Sequence, residues 1–213
     1  MTDDWNERED RQAAAYDAIG DYYDEAFPHK DGQLASGSWL LSRIQPGARV
    51  LDIGCGTGMP TVAQLVTAGC DVTGIDLSAR MCEFSRANVP GARFHQADVF
   101  DLDPADGQYE AVVSFFTLLN LPRARMGEAF NLIHKLLVPG GWFCLSMVEA
   151  DLDDVPIPFL GSEIRVTGYL RDDLRTLVEE SGFIVEEETP LSYAPASTQA
   201  YPEIQLFLNC RRA

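Results

Sequence analysis

The chain has 213 residues, enough for one well-packed domain and too few for two. With 46% hydrophobic and 10% aromatic residues it is not a disordered chain, and no run approaches the roughly 18 uncharged apolar residues of a membrane span. Thirty-three acidic residues face 16 basic ones, for a net charge of −17, and no basic run exceeds Arg211-Arg212. That balance argues against a nucleic-acid partner and against an anionic membrane surface. The acidic, polar start (Met1 to Glu7) reads as neither a secretory signal nor a transit peptide. Five scattered cysteines (Cys55, Cys70, Cys82, Cys144, Cys210) include no Cys-x-x-Cys pair, so neither a disulfide framework nor a zinc site is expected. Asp151, Asp153 and Asp154 read as a solvated acidic loop rather than metal ligands. The expectation is a cytoplasmic, metal-free protein; its oligomeric state has no sequence signature.

Tyr16, Ile19, Tyr22 and Tyr23, three or four apart, predict a helix over residues 7–25 with one aromatic face, closed at Phe27-Pro28. A second helix over residues 33–44 stops at Pro46-Gly47. Strand–helix alternation follows. Strands are predicted at residues 49–53, 72–75, 93–96, 109–115 and 142–147, and helices over 59–68, 78–88 and 123–137. This rhythm implies parallel strands with right-handed crossovers, hence a doubly wound α/β sheet.

The last third differs. After a helix over 171–181 come strands at 183–188 and 203–210, joined by a segment holding Pro190, Pro195 and Pro202 in which no helix fits. Such strands pair antiparallel, which closes the sheet with a reversed strand. The partly apolar segment 149–169 is longer than a plain connection. It reads either as a wall of a ligand pocket or as a short hairpin packed on the sheet.

Ligands of open α/β sheets bind beyond the carboxyl ends of the strands. There, in Val50-Leu51-Asp52-Ile53-Gly54-Cys55-Gly56-Thr57-Gly58, three glycines follow the first strand and precede a helix. They permit a tight turn and let backbone amides approach a ligand. A dinucleotide loop would require glycine at position 59, where Met59 stands.

Asp52-x-Gly54-x-Gly56-x-Gly58 instead resembles the first motif of the class I S-adenosylmethionine-dependent methyltransferases. The resemblance covers roughly residues 45–147 and extends to the terminal hairpin. It implies a Rossmann-like seven-stranded sheet, mostly parallel with an antiparallel last strand, with helices on both faces and an N-terminal helical lid. It also implies one methyltransferase domain over residues 1–213: a lid at 1–45, a cofactor-binding core at 46–148, and a substrate-side insertion and terminal hairpin at 149–213.

The cofactor implied is S-adenosylmethionine, with the Asp52, Gly54, Cys55, Gly56 and Gly58 loop at its methionine part. Asp76, at the end of the second strand, is placed to accept from both ribose hydroxyls. Leu77 and Met81 would pack on adenine, and Asp98 with Val99 would meet its amino edge. Ser114 and Phe115 would offer backbone carbonyls to the methionine end. Tyr16 and Tyr22, in Tyr-Asp and Tyr-Tyr-Asp pairs like those of small-molecule members, would sit near the sulfonium or simply pin the lid.

Methyl transfer from a sulfonium is an in-line displacement and requires a base only for a protonated acceptor. Candidates are His29 in the lid region and Glu149 after the fifth strand, whereas His95 and His134 read as structural. Strand four continues Ser114-Phe115-Phe116-Thr117, not the Asn/Asp-Pro-Pro-Tyr of nucleic-acid amino methyltransferases. The expected reaction is methylation of an O or N atom of a small, partly hydrophobic metabolite. A cyclase or decarboxylase on the same cofactor frame, and a nicotinamide oxidoreductase, remain alternatives.

Overall fold

The computed structural model describes residues 2–213. Its centre is a seven-stranded sheet built from β1 (Arg49–Ile53), β2 (Asp71–Asp76), β3 (Arg93–Gln96), β4 (Tyr109–Phe115), β5 (Leu137–Val148), β8 (Phe183–Tyr193) and β9 (Glu203–Arg212), in the order β3-β2-β1-β4-β5-β9-β8. β1 to β5 run parallel, and β9 is antiparallel to both of its neighbours. The strand order reverses direction between β1 and β4, and a ligand crevice is expected at that switch point.

Side-chain alternation explains why the sheet is covered on both faces. Leu51, Ile53, Val112, Phe143 and Leu145 point to one side, against Phe130 and Ile133 of α6 (Arg123–Leu136) and Val178 of α7 (Arg171–Glu180). Val50, Ala111, Val113 and Cys144 point to the other, against Leu40 of α3 (Asp31–Leu41) and Val62 and Leu65 of α4 (Thr61–Thr67). Strands buried on both faces read as continuous apolar runs, as β1, β4 and β5 do. α5 (Ala79–Asn88) begins at an N-cap, Ser78, whose hydroxyl accepts from the Met81 amide at 3.0 Å.

The predicted first helix is two. α1 (Thr2–Ile19) and α2 (Tyr22–Ala26) are separated by Gly20 in the left-handed region, φ 56°. The buried face of α1 carries Arg8, Glu9 and Gln12 beside Ala15 and Ile19. A helix that buries polar side chains covers a polar cleft rather than a core. Polar side-chain ties hold the helical pair down. Arg8 pairs with Asp154 at 2.6 Å, Asp17 accepts from the Ser78 hydroxyl, and Asp24 accepts from the Thr57 hydroxyl at 2.7 Å.

Residues 149–169 contain a separate hairpin, β6 (Leu152–Phe159) with β7 (Ser162–Gly168). Its two-residue turn, Leu160-Gly161, has φ 50° and 83°, the positive pair that matches strand twist. Ile19, Phe27, Leu160 and Ala200 form a small third apolar cluster, joined by Tyr23, Phe159 and Tyr193. It ties the N-terminal helices, the hairpin tip and the β8–β9 connection into one roof. Among the described residues no helix is long and apolar enough to cross a membrane, and all five cysteines are free and buried.

Candidate active site

A cleft of about 1100 Å³, partly open to solvent, lies at the carboxyl ends of β1, β2 and β4. Asp52, Gly54, Cys55, Gly56, Asp76, Leu77, Met81, Asp98, Val99, Phe115 and Tyr16 all line it. The glycine loop is built as its spacing demands: Gly54, Gly56 and Gly58 have φ 76°, 51° and 79°. The Gly54 and Cys55 amides donate to the Ile75 carbonyl at 2.8 and 2.9 Å, which ties the loop to β2. A Cβ on Gly54 would collide with Thr117, whereas one on Gly56 would meet nothing within 4 Å because the cleft lies beyond it. Gly58 does not line the cleft; its place is under Val89 and Ser85 of the α5 region, so it serves the turn and the packing.

Asp76 accepts from the Gly56 amide through Oδ2 and from the Ser78 amide through Oδ1, both at 2.9 Å. Burial raises its carboxyl to about 6, partly offset by those two amides. Asp52, only 3% exposed, is raised to about 8 by burial and by the charge of Asp76. Among the described residues nothing donates a hydrogen bond to the Asp52 carboxyl, and Lys30, the one Lys or Arg that lines the cleft, is paired with Asp24 rather than with either of these acids. A cationic ligand would repair that imbalance. Asp98 caps a short 3-10 turn (Val99–Asp101), accepting from the Phe100 amide at 3.0 Å, and burial raises its carboxyl as well. Glu9, delivered by α1, is raised to about 7 by burial and by Asp98.

Two further residues expected at the cleft stand away from it. Tyr22 lies outside the cleft, its hydroxyl 3.0 Å from that of Ser197; the break at Gly20 rotates α2 so that Tyr23 lines the cleft instead. Ser114 is fully buried within the sheet, its hydroxyl donating to the Ile53 carbonyl at 3.2 Å, and the wall beyond Phe115 is made by Phe116 and Thr117. Phe116 has φ 57°, a costly conformation for a bulky residue and one that concentrates at functional sites.

A second, larger cavity, also open to solvent and spanning about 2020 Å³ with that open space counted, lies beside the first. Both are lined by Tyr16, Tyr23, Lys30, Gln33 and Phe116, so those side chains form the join. Aromatic rings make one wall: Phe27 stacks on Tyr23 at 5.1 Å between centroids and on Tyr193 at 5.7 Å, with Phe159 against it at 5.8 Å. The hairpin adds Ile157, Phe159, Ile164 and Val166, so segment 149–169 is a hairpin that also lines this cavity.

Both candidate bases reach this cavity, with different prospects. His29 lines it, and its backbone amide donates to the Tyr193 hydroxyl at 3.4 Å. Glu149 is clamped by Arg171, Nε to Oε1 at 2.7 Å and Nη2 to Oε2 at 2.6 Å, and that pairing lowers its carboxyl below the usual range. A carboxylate so paired is a poor proton acceptor. Gln12, Gln33, Lys30 and Asn120 were missed in the sequence because no motif marks them. Gln12 donates to Asn120 Oδ1 at 2.7 Å and the Tyr16 hydroxyl to the same oxygen at 3.4 Å, which fixes that hydroxyl at the join; burial raises Tyr16 to about 12.

A doubly wound sheet with a reversed strand, and a glycine-loop cleft with an acid at the end of each of its first two strands, define a nucleoside-cofactor enzyme of the Rossmann-like class. Residues 50–141 match the family model described as a methyltransferase domain. An uncharacterised methyltransferase of Synechocystis is 30% identical over 148 residues, covering 67% of this chain and 69% of that protein. The magnesium-protoporphyrin O-methyltransferase of Rhodobacter capsulatus is 34% identical over 114 residues, half of each protein. In structure, the chain is similar to the 1,6-didemethyltoxoflavin-N1-methyltransferase of Burkholderia thailandensis, solved with 1,6-didemethyltoxoflavin and S-adenosylhomocysteine. The TM-score is 0.74 at 19% identity, over 98% of this chain and 90% of that one. The chain belongs to the class I S-adenosylmethionine-dependent methyltransferases, and its cofactor is S-adenosylmethionine.

Proposed function

We propose that this enzyme methylates an O or N atom of a small, partly hydrophobic metabolite seated in the second cavity. The observation that carries this reading is the shared wall of Tyr16, Tyr23, Lys30, Gln33 and Phe116 between the two cavities. When bound, S-adenosylmethionine supplies a methyl group activated on a sulfonium. The protein's own part is orientation and exclusion of water, worth several kcal/mol when the reacting atoms are held in line.

Asp76 retains acceptor capacity toward the ribose hydroxyls beyond the two amides it holds. Leu77 and Met81 offer an apolar seat for adenine, with Asp98 and Val99 at its edge. Asp52 and the Gly54–Gly56 backbone face the amino-acid end. The aromatic wall around Phe27 suits a flat acceptor, and His29 is the side chain best placed to take a proton from one. Five free thiols fit a reducing cytoplasm.

The test is release of S-adenosylhomocysteine, with a product heavier by one methyl group, across a panel of hydroxylated and amino heteroaromatic acceptors. Conversion of an acceptor without S-adenosylhomocysteine release would sink the transferase reading in favour of a cyclase or decarboxylase. Binding of a nicotinamide dinucleotide in place of S-adenosylmethionine would sink the donor.

A further inference from the structure

The two cavities are strongly acidic. Glu9, Asp24, Asp52, Asp76 and Asp98 line the first, and Glu149 and Glu203 line the second. Among the described residues a single Lys or Arg side chain lines either one, and it lines both: Lys30. The chain has two lysines and 14 arginines, so a lysine here departs from its habit. Arginine is planar and suits fixed ion pairs, whereas lysine is a compact charge on a flexible stem.

The Lys30 side chain is 14% exposed, and burial holds its ammonium below the usual range. Its Nζ is 3.1 Å from Asp24 Oδ1 and 4.8 Å from the centre of the Tyr23 ring. Asp24 is in turn held to the glycine loop by the Thr57 hydroxyl at 2.7 Å. An ammonium has three donors; among the described residues Asp24 is the one carboxylate paired with it, and the side chain lines both cavities.

We propose that Lys30 is an oxyanion-binding residue at the join of the two cavities, whose ligand is the carboxylate of the cofactor's amino-acid end or an ionised oxygen of the acceptor. The inference rests on the methyl-donor reading above. A lone buried cation among carboxylates is stable only while paired, and Asp24 keeps it paired when no ligand is present. A ligand oxyanion would share that charge at no cost of bringing a new cation out of water.

The experiment titrates the wild-type, Lys30→Met and Lys30→Arg proteins with S-adenosylhomocysteine and with 5′-methylthioadenosine, which lacks the amino-acid end. A third titration, with S-adenosylhomocysteine saturating, uses 4-nitrophenol, whose ionised form is coloured. The expected result is unchanged 5′-methylthioadenosine affinity in Lys30→Met, with a loss of about tenfold or more for one oxyanion probe, the scale of one charge-assisted hydrogen bond. Lys30→Arg should recover most of it. Loss for S-adenosylhomocysteine assigns the cofactor's carboxylate; loss for 4-nitrophenolate alone assigns the acceptor. Lys30→Met binding every probe like wild type overturns the inference, as does an equal loss of 5′-methylthioadenosine, which would make Lys30 a lid brace only. A wild-type protein that binds neither nucleoside overturns the donor reading and this inference with it.

Discussion

Gly54 and Gly56 are both in the left-handed region, yet alanine at the two positions should fail in different ways. At Gly56 a Cβ meets no protein atom within 4 Å, so the fold bears mainly the backbone cost of φ 51°, about 1–2 kcal/mol. The added methyl would stand in the cleft, where the proposed cofactor site lies. An overlap of that size costs about 1–3 kcal/mol, or roughly tenfold to a hundredfold in affinity. At Gly54 the φ of 76° brings a similar backbone cost, and the Cβ collides with Thr117. The combined loss should be about 3 kcal/mol or more.

Urea denaturation would measure the first quantity and calorimetric titration with S-adenosylhomocysteine the second. Gly56→Ala should keep most of its stability and lose the ligand; Gly54→Ala should lose stability first, and Thr117→Gly in that background should restore part of it. Equal stability losses in the two variants, with ligand affinity intact in Gly56→Ala, would refute the reasoning.

Other consequences concern charge and packing. Asp52 and Asp76 are raised to about 8 and about 6, so the fold holds more protons than the unfolded chain between about pH 4 and 8. The cofactor-free protein should therefore be most stable at the acid end of that window and weaken as pH rises through it; Asp52→Asn should flatten the slope, as read by thermal melting. Binding a cationic cofactor favours the ionised acids, so protons should be released near neutral pH, seen as buffer-dependent heats of titration. Glu149→Gln should leave the pH–rate profile unchanged, because its carboxylate is occupied by Arg171; disappearance of a limb would contradict that assignment. Phe27→Ala should cost about 3–5 kcal/mol of stability and weaken acceptor more than cofactor, measured as a KM increase for the acceptor with the S-adenosylhomocysteine Kd held.

The parallel half of the sheet was legible because each strand is apolar on both faces and each is followed by a turn signal. The glycine-loop cleft was legible because its parts sit at fixed offsets from those strands: three glycines after β1 and Asp76 ending β2. The lid was less so. Its aromatic spacing ran through Gly20 as if one helix continued, and that assumption exchanged Tyr22 for Tyr23. Ser114 shows the same limit on a strand, where one residue decides between the sheet interior and the cleft.

Lys30, Gln33 and Asn120 were invisible for another reason. They converge from α3, its approach and a 3-10 turn (Leu118–Asn120), and only the packing of the roof brings them together. Segment 149–169 was ambiguous because Pro156 and Pro158 argue against a central strand, whereas an isolated two-stranded hairpin accepts them.

The central claim is that one cleft holds the methyl donor and aims it through the Tyr16–Phe116 join into the second cavity. A crystal structure with S-adenosylhomocysteine tests it most directly. The prediction is that the ribose hydroxyls lie on Asp76, the adenine lies beside Met81 and Asp98, and the sulfur faces Tyr16 and Phe116 with open space beyond. A ligand whose sulfur is walled off from the second cavity, or whose ribose has no contact with Asp76, would contradict it.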